Sequence, residues 1–526
     1  MIHDARTFAA DSRLRCDVCV VGSGAGGMAA ARVLAEAGLA VVVLEPGAFL
    51  PATAMTQREE LMLPQLYWEA GGRTSVDRAT HLHQGKGVGG STLHNLNLCK
   101  RIDRGLLARW ASERKLAQLP VAVWDALFDE TEALLGVSAV APARYNDHNK
   151  LLLQGAQALG WAAGGLAHNR DGCIGSGFCE LGCAYDAKNN AAKVLLPKFV
   201  GAGGAIVTYA QAVRVRHAQG RVLGVEAVAL AREGQASGRL EIDCDAVVVA
   251  ASATGTPALL LRSGVPDRSG RSGRGLAIHP AVVAAGDFDD KVRAWEGIPQ
   301  TVECTAFLRF SPDRPAASAA GDASADTNDP TRIWIVPAFG HPMGTATMMP
   351  GFGASHRSVM ERYEHLAVFC AMLHDDSDGS VRPDGDLGLA IDYRLSDADA
   401  NELRAGLRRV VDLLFAAGAR RVFLPTPTPT VVARADHRSI DATLRDVDIR
   451  RLGATAVHPM ATMAMSDDPD LGPVDSGGRH HGLSGLYVAD GSLYPTSIGG
   501  PPQLGIYALG THVGRAAART LGRAGG

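Results

Sequence analysis

Asp17-Val-Cys-Val-Val-Gly22-Ser-Gly24-Ala-Gly-Gly27-Met-Ala-Ala-Ala-Arg-Val-Leu-Ala-Glu-Ala-Gly38-Leu-Ala-Val-Val-Val-Leu-Glu45 is the stretch that decides the fold. A short apolar run meets the glycines of Gly22-x-Gly24-x-x-Gly27, an alanine-rich segment runs to Gly38, and a second apolar run ends on Glu45. The pattern predicts strand, helix and strand of a βαβ unit that receives a dinucleotide. Gly22 permits the tight turn, Gly24 lets the backbone approach a pyrophosphate, and Gly27 lets helix and strand pack closely. The helix N-terminus offers unpaired N–H groups and the positive end of its dipole to phosphate. Glu45, 23 residues beyond Gly22, is placed to accept a hydrogen bond from a ribose hydroxyl.

The rest of the chain narrows the class. Its 526 residues suffice for two or three domains with a large core. Apolar residues at 46% and charged residues at 20% describe an ordinary globular protein. A net charge of −3 gives no electrostatic case for nucleic acid or an anionic membrane. No apolar run approaches the roughly 18 residues of a transmembrane helix, and Met1–Phe8 lacks a signal-peptide core, so a cytoplasmic location is the default expectation. Nine cysteines, an odd number in a chain expected in a reducing compartment, argue against a disulfide framework. Cys16 and Cys19 sit at an odd offset in the first strand, point to opposite faces, and read as core.

Further along, Gly85-Lys-Gly-Val-Gly89-Gly90-Ser91-Thr92-Leu-His94-Asn95-Leu-Asn97 forms a second glycine loop. Residues 105 to 136 read as helical, as do 149 to 159, and Cys173, Cys179 and Cys183 punctuate a glycine-rich segment. Strands are expected at Ala205–Thr208, Ala212–His217, Arg221–Leu230 and Leu240–Ala250, the last as a return strand of the nucleotide domain, with a helix from Ala258 to Arg262. Residues 311 to 330 read as a mobile surface loop. Ser396 is the expected N-cap of an amphipathic helix from Asp397 to Ala417 whose apolar face carries Leu403, Leu407, Val410, Val411 and Leu414. Thr426–Thr430 is a stiff extended linker, Leu486 to Ser492 is a strand ending on an acid and a glycine, and the last helix starts near Ile506.

Four stretches together resemble the glucose–methanol–choline (GMC) oxidoreductases, a family of FAD enzymes. They are the Gly22 loop, Gly89-Gly90-Ser91-x-x-x-Asn95, Ala251-Ser252-Ala-x-x-Thr256-Pro257-x-Leu259-Leu260, and His458-Pro459 with Asp490-Gly491-Ser492 and Pro502. The resemblance is nearest the bacterial cholesterol oxidase, long-chain alcohol oxidase and FAD sugar dehydrogenase branches. It implies an α/β (α+β overall) architecture: a discontinuous Rossmann-like FAD domain (1–100, 190–280, 440–526), a helical and cysteine-containing excursion (101–189), and a substrate domain on an antiparallel sheet (281–439). It implies that Gly22, Gly24, Gly27 and Glu45 hold the ADP half. Gly89, Gly90, Ser91 and Asn95 would lie along ribitol and flavin, with His94 beside them. The backbone of Val213 would meet the adenine, and Asp490, Gly491 and Pro502 would close over the cofactor.

His458 matches the family's catalytic histidine, expected to take the hydroxyl proton while the flavin accepts a hydride. Where relatives carry Asn or His as its partner, this chain has Pro501, which neither donates nor accepts through its side chain. His341 is at best a further pocket residue. His94 stands where some members carry a flavin-linked histidine and others an unlinked one. Cys173, Cys179 and Cys183 repeat a spacing that in the sugar-dehydrogenase branch holds a three-iron [3Fe-4S] cluster, and equally fit three buried thiols. The implied partners are a small-molecule alcohol and an electron acceptor, whether dioxygen, quinone or a cytochrome. Alternatives are an iron–sulfur sugar dehydrogenase, a flavin-retaining hydroxynitrile lyase and a non-catalytic FAD subunit.

Overall fold

The computed structural model describes residues 1–9, 11–231, 236–308, 332–338, 340–376, 378–426 and 430–522. Two sheets carry the cavity described below. The first is a six-stranded parallel sheet in the order Ile2–Asp4, Ala205–Thr208, Val41–Glu45, Val18–Val21, Ala246–Val249, Leu486–Val488. Val18 to Val21 are buried at every position, which is why that strand reads as an unbroken apolar run rather than an alternation. The helix Ala25–Glu36 starts from Gly24, and the C-terminal helix Gln503–Thr520 lies against it. Small residues make that contact possible. A Cβ on Gly510 would stand 2.3 Å from the carbonyl oxygen of Gly26, and one on Gly514 would stand 3.0 Å from the Cα of Ala30.

The second is a nine-stranded sheet whose central strands, Ala281–Asp287, Leu366–Leu373 and Ile333–Pro337, pair antiparallel. Its residues alternate between two apolar environments, as the two-residue period of a strand requires. Ala284, Ile333, Ile335, Phe369 and Leu373 pack with Leu403, Leu407, Val410, Val411 and Leu414 of the helix Asp397–Ala416. Ser396 caps that helix by accepting from the N–H of Asp399 at 3.0 Å, as the sequence leads one to expect. The intervening residues Ala281, Val283, Trp334, Val336, Val368, Cys370 and Met372 face the other way, into the cavity.

Several elements differ from the sequence reading. The expected strand Leu240–Ala250 is two, Ala236–Asp243 and Ala246–Val249, in different sheets. The carbonyl of Asp17 accepts from both Asp245 and Ala246 N–H at 3.1 Å, and the chain changes partners there. Residues 105 to 136 split into Arg104–Glu113 and Val121–Leu135, with Pro120 at the second N-terminus. The helix expected from Ala258 already begins at Ser252 and contains Pro257, and the last helix begins at Gln503. The segment 311–330 and residues 427–429 of the linker lie outside the described residues. Among the described residues no helix is long and apolar enough to cross a membrane, and all nine cysteines are free thiols.

Candidate active site

A single cavity of about 850 Å³ runs from the Gly22–Gly26 turn to the open face of the nine-stranded sheet. At its nucleotide end the wall is backbone. Gly22 takes φ +98°, and a Cβ there would meet the carbonyl oxygen of Ala250 at 2.4 Å. Gly27 lies behind the wall, where a Cβ would stand 2.0 Å from the oxygen of Gly22, so its work is helix–strand packing. Gly24 has nothing within 4 Å of its Cβ position and lines the cavity, so any side chain there would fill the groove itself. The second glycine loop closes on the first. A Cβ on Gly90 would sit 2.9 Å from the Cα of Gly24. Gly90, Ser91, His94 and Asn95 line the cavity, while Gly89 takes the left-handed turn (φ +113°) behind them. A groove walled by glycine and helix N-terminal backbone is what an ADP moiety needs, so FAD fits these residues.

Glu45 has protein partners that the sequence does not indicate. It is buried and lines the cavity, but its carboxylate accepts from Gly47 and Gly87 N–H at 2.9 Å each through Oε1. Oε2 accepts from Ser23 N–H at 3.2 Å and from the Ser23 hydroxyl at 2.6 Å. Four donors fill the roughly four lone-pair sites of a carboxylate. Glu45 therefore ties the two glycine loops together, and a ribose hydroxyl would have to displace one of these donors. Burial pushes its pKa up, and the same four bonds oppose that shift. Val213 is not in the wall. A bulge between Ala212 and Arg214 takes it out of register, and Ala210, Gln211 and Ala212 face the cavity instead. Asp490 accepts from the Thr256 hydroxyl at 2.5 Å and from Ser492 N–H at 2.9 Å, and Asp490, Gly491, Pro501 and Pro502 all line the cavity.

At the other end, His458 enters from the segment after the short strand Ala454–Ala456, whose Thr455 pairs with Ala281. That pairing brings His458 beside His279, the residue two before Ala281. Their Nδ1 atoms are 3.2 Å apart, with the rings nearly perpendicular. Burial lowers the pKa of His458 to about 3, so the ring is neutral at pH 7. His279 is fully buried at φ +52°, and its Nε2 accepts from Ile498 and Gly499 N–H at 3.2 and 2.9 Å. Asp375 holds the backbone there by accepting from Ile278 and His279 N–H at 3.0 and 3.1 Å.

His94 lies with its ring centroid 3.9 Å from that of Tyr67, and its Nε2 has no hydrogen-bond partner among the described residues. Asn95 donates to Gln503 at 2.8 Å. The buried ammonium of Lys188 donates to the carbonyls of Leu93, Asn95 and Cys179 at 3.0, 2.6 and 2.8 Å, stapling the second glycine loop to the cysteine segment. His341 lines the cavity and stacks on Phe178 at 4.4 Å.

The three-cysteine expectation is not met. Among the described residues no group of three or more His, Cys, Asp or Glu side chains is placed to hold a metal ion. The loop uses these thiols separately. Cys183 Sγ accepts from Ala187 N–H at 3.3 Å, Cys173 takes a donor from Arg170 at 3.6 Å, and Cys179 is pushed up in pKa by burial. His279, Gln503 and Lys188 are the residues that sequence reasoning passed over. His279-Pro280 was legible only as the place where the chain changes character, and nothing local marks Gln503 as lining the cavity or Lys188 as holding its loop.

Comparison with known proteins matches this architecture. The GMC oxidoreductase family model matches residues 63–281 and, in its C-terminal part, 375–510, and a Rossmann-like NAD(P)-binding model matches 20–87. An uncharacterised GMC-type oxidoreductase of Mycobacterium tuberculosis is 35% identical over 499 residues, covering 94% of this chain and 74% of the relative. A long-chain-alcohol oxidase of Arabidopsis thaliana is 26% identical, covering 96% of this chain and 68% of the relative. Pyridoxine 4-oxidase from Mesorbium loti shares the fold at TM-score 0.71 and 20% identity, over 95% of this chain and 98% of that one. The chain belongs to the GMC oxidoreductase family, and is an FAD-dependent oxidoreductase.

Proposed function

We propose that this enzyme oxidises an apolar alcohol to the aldehyde or ketone. The observation that carries this reading is the continuity of the cavity: one lining joins a backbone groove for the nucleotide to the apolar residues Val283, Trp334, Val336, Val368, Cys370 and Met372, and includes His458. When bound, FAD supplies the two-electron acceptor at that junction. The apolar sheet face suits an aliphatic body, and His458 is a polar group placed to meet the hydroxyl. The long-chain-alcohol oxidases among the relatives support the substrate class. The role expected of His458, taking the hydroxyl proton, needs a bare ring nitrogen facing the substrate. A sugar substrate and a cytochrome acceptor draw no support from the cysteine loop, whose thiols are not gathered as metal ligands.

The test is anaerobic mixing of the yellow protein with primary and secondary n-alkanols, a sterol and a hexose, followed by flavin absorbance. Bleaching by the apolar alcohols is expected. Bleaching by the hexose alone would replace apolar with sugar substrates, and no bleaching by any alcohol would leave a lyase or a non-catalytic flavoprotein.

A further inference from the structure

We infer that Glu180 is a specificity-determining residue whose carboxyl receives a second hydroxyl at the far end of the substrate, so that the preferred substrate is an aliphatic diol rather than a simple alcohol. The oxidised end of that substrate rests on the alcohol-oxidation reading. The second subsite stands on a carboxyl in the cavity wall that no protein group satisfies. Glu180 lines the cavity, and its carboxyl has no hydrogen bond or ion pair among the described residues. The donors around it are committed elsewhere. The Lys188 ammonium gives its three N–H bonds to the carbonyls of Leu93, Asn95 and Cys179. The Tyr67 hydroxyl donates to the backbone carbonyl of Glu180 itself at 2.8 Å, and the Tyr363 hydroxyl donates to the carbonyl of Gly340 at 2.8 Å. Glu59, whose charge Glu180 feels, accepts from Met343 and Gly344 N–H at 2.9 and 3.2 Å. Burial raises the Glu180 pKa to about 8, with Lys188 opposing the shift and Glu59 adding to it, so the group is a neutral acid at pH 7. A neutral carboxyl both donates and accepts, and a hydroxyl answers both functions. An ammonium would instead ionise it and add a second cation to the buried surroundings of Lys188.

The fold sets His458 and Glu180 at opposite ends of one apolar wall. Thr455 pairs with Ala281 and Ala281 with Met372, which brings His458 to the Trp334–Met372 end of the sheet. Glu180 belongs to the other end. Phe178, two residues before it, stacks on His341 with ring centroids 4.4 Å apart. Glu59 and Tyr363, which share its electrostatic surroundings, are bonded to the segment from Gly340 to Gly344. That segment follows closely on the strand Ile333–Pro337, whose extension at Ala338 still bonds to the carbonyl of Val368 at 2.8 Å. From Trp334 to Ala338 the chain advances about 13 Å, at about 3.3 Å per residue. A straight chain of about ten carbons spans that distance. It would lie along Val336, Val368 and Cys370 with a polar group at each end.

The test compares an α,ω-diol of about ten carbons with the n-alkanol of the same length. In anaerobic flavin reduction the diol should show a kcat/KM about tenfold above the n-alkanol, the size of one hydrogen bond to a buried group and beyond the roughly twofold that two equivalent hydroxyls supply. Glu180→Gln keeps a neutral donor and acceptor and should retain the preference. Glu180→Leu should reduce it to the statistical factor, whatever the absolute rates become. A preference that survives in Glu180→Leu, or that vanishes equally in Glu180→Gln, overturns the inference, as does a larger kcat/KM for the ω-amino alcohol than for the diol. Calorimetry on protein whose flavin has been reduced beforehand gives a readout free of turnover. There the diol should bind about tenfold tighter than the n-alkanol, and equal affinities overturn the inference. If no alcohol reduces the oxidised flavin, the functional reading fails while this binding comparison still decides the role of Glu180. If Glu180→Leu does not fold, the wild-type ratios in both measurements decide it alone.

Discussion

The two ends of the cavity are built from different material. At the nucleotide end the working groups are backbone atoms, and the residues that matter are glycines: Gly22, Gly24, Gly27 and Gly90 fix distances by lacking a side chain. At the chamber end the working groups are side chains drawn from segments nearly two hundred residues apart, such as His279 and His458. A site made of absences tolerates almost no substitution. A site made of side chains fails in degrees, according to what the replaced group did.

The sharpest way to break that contrast lies within the glycine turn itself. Gly24→Val should fold normally, since a Cβ meets no protein atom within 4 Å, yet purify colourless because the side chain fills the groove. Gly26→Val should lose soluble protein altogether, because a Cβ would stand 1.9 Å from the carbonyl oxygen of Ala489. Full flavin content in Gly24→Val would move the phosphate site elsewhere. Next in size, His458→Ala should bind FAD normally and reduce it about 10²–10³-fold more slowly, as expected for one lost polar contact to the reacting oxygen. Stopped-flow reduction at equal flavin occupancy measures it, and an unchanged rate would remove His458 from the chemistry.

A smaller and graded effect should appear in stability against pH. Burial lowers His148 to about 4 and His374 and His458 to about 3, against an unfolded value of about 6.5. Between those limits the unfolded chain binds protons that the folded one refuses, so stability should fall as pH drops from about 6.5 toward about 4. Asp375, raised to about 6 by burial, works in the opposite direction, but the buried histidines outnumber such carboxyls. Melting temperature at fixed FAD, measured from pH 7 to 4.5, checks the sign, and a rise over that range would mean these rings are not buried neutral. The smallest effect is expected at Ser252, which holds φ +72°. Its hydroxyl accepts from Gln84 at 2.8 Å. Ser252→Gly relieves about 1–2 kcal/mol of left-handed strain. It loses a hydrogen bond of about 1 kcal/mol and adds unfolded-state freedom of similar size. The melting temperature should therefore barely move, and a shift of many degrees would show that one of these terms dominates.

Much of the nucleotide end was legible because local rules govern it. A strand, a glycine turn and a small-residue helix must be contiguous to do their work, and Gly22, Gly24 and Gly27 act through backbone that the sequence itself orders. What was not legible there depends on tertiary contacts. Ser23 and Gly87 reach Glu45 from two loops, and the bulge at Val213 depends on pairing with the Arg221–Leu230 strand. His458 was legible through motif resemblance, but its contact with His279, which Ile498 and Gly499 hold in turn, follows from no spacing. The cysteine spacing invited a cluster because spacing is blind to where thiols point.

The parallel sheet has one more implication, for the order in which this chain takes shape. Its strands come from residues 2–4, 18–21, 41–45, 205–208 and 246–249, and the edge strand Leu486–Val488 and covering helix Gln503–Thr520 arrive last. During synthesis the glycine turn emerges early, yet the helix that abuts Gly26 is made hundreds of residues later. Such long-range pairing slows folding and leaves apolar strands waiting without partners. A ribosome translating this message therefore carries an open nucleotide sheet until the helix Gln503–Thr520 has emerged, and chaperones should engage the nascent chain throughout that interval.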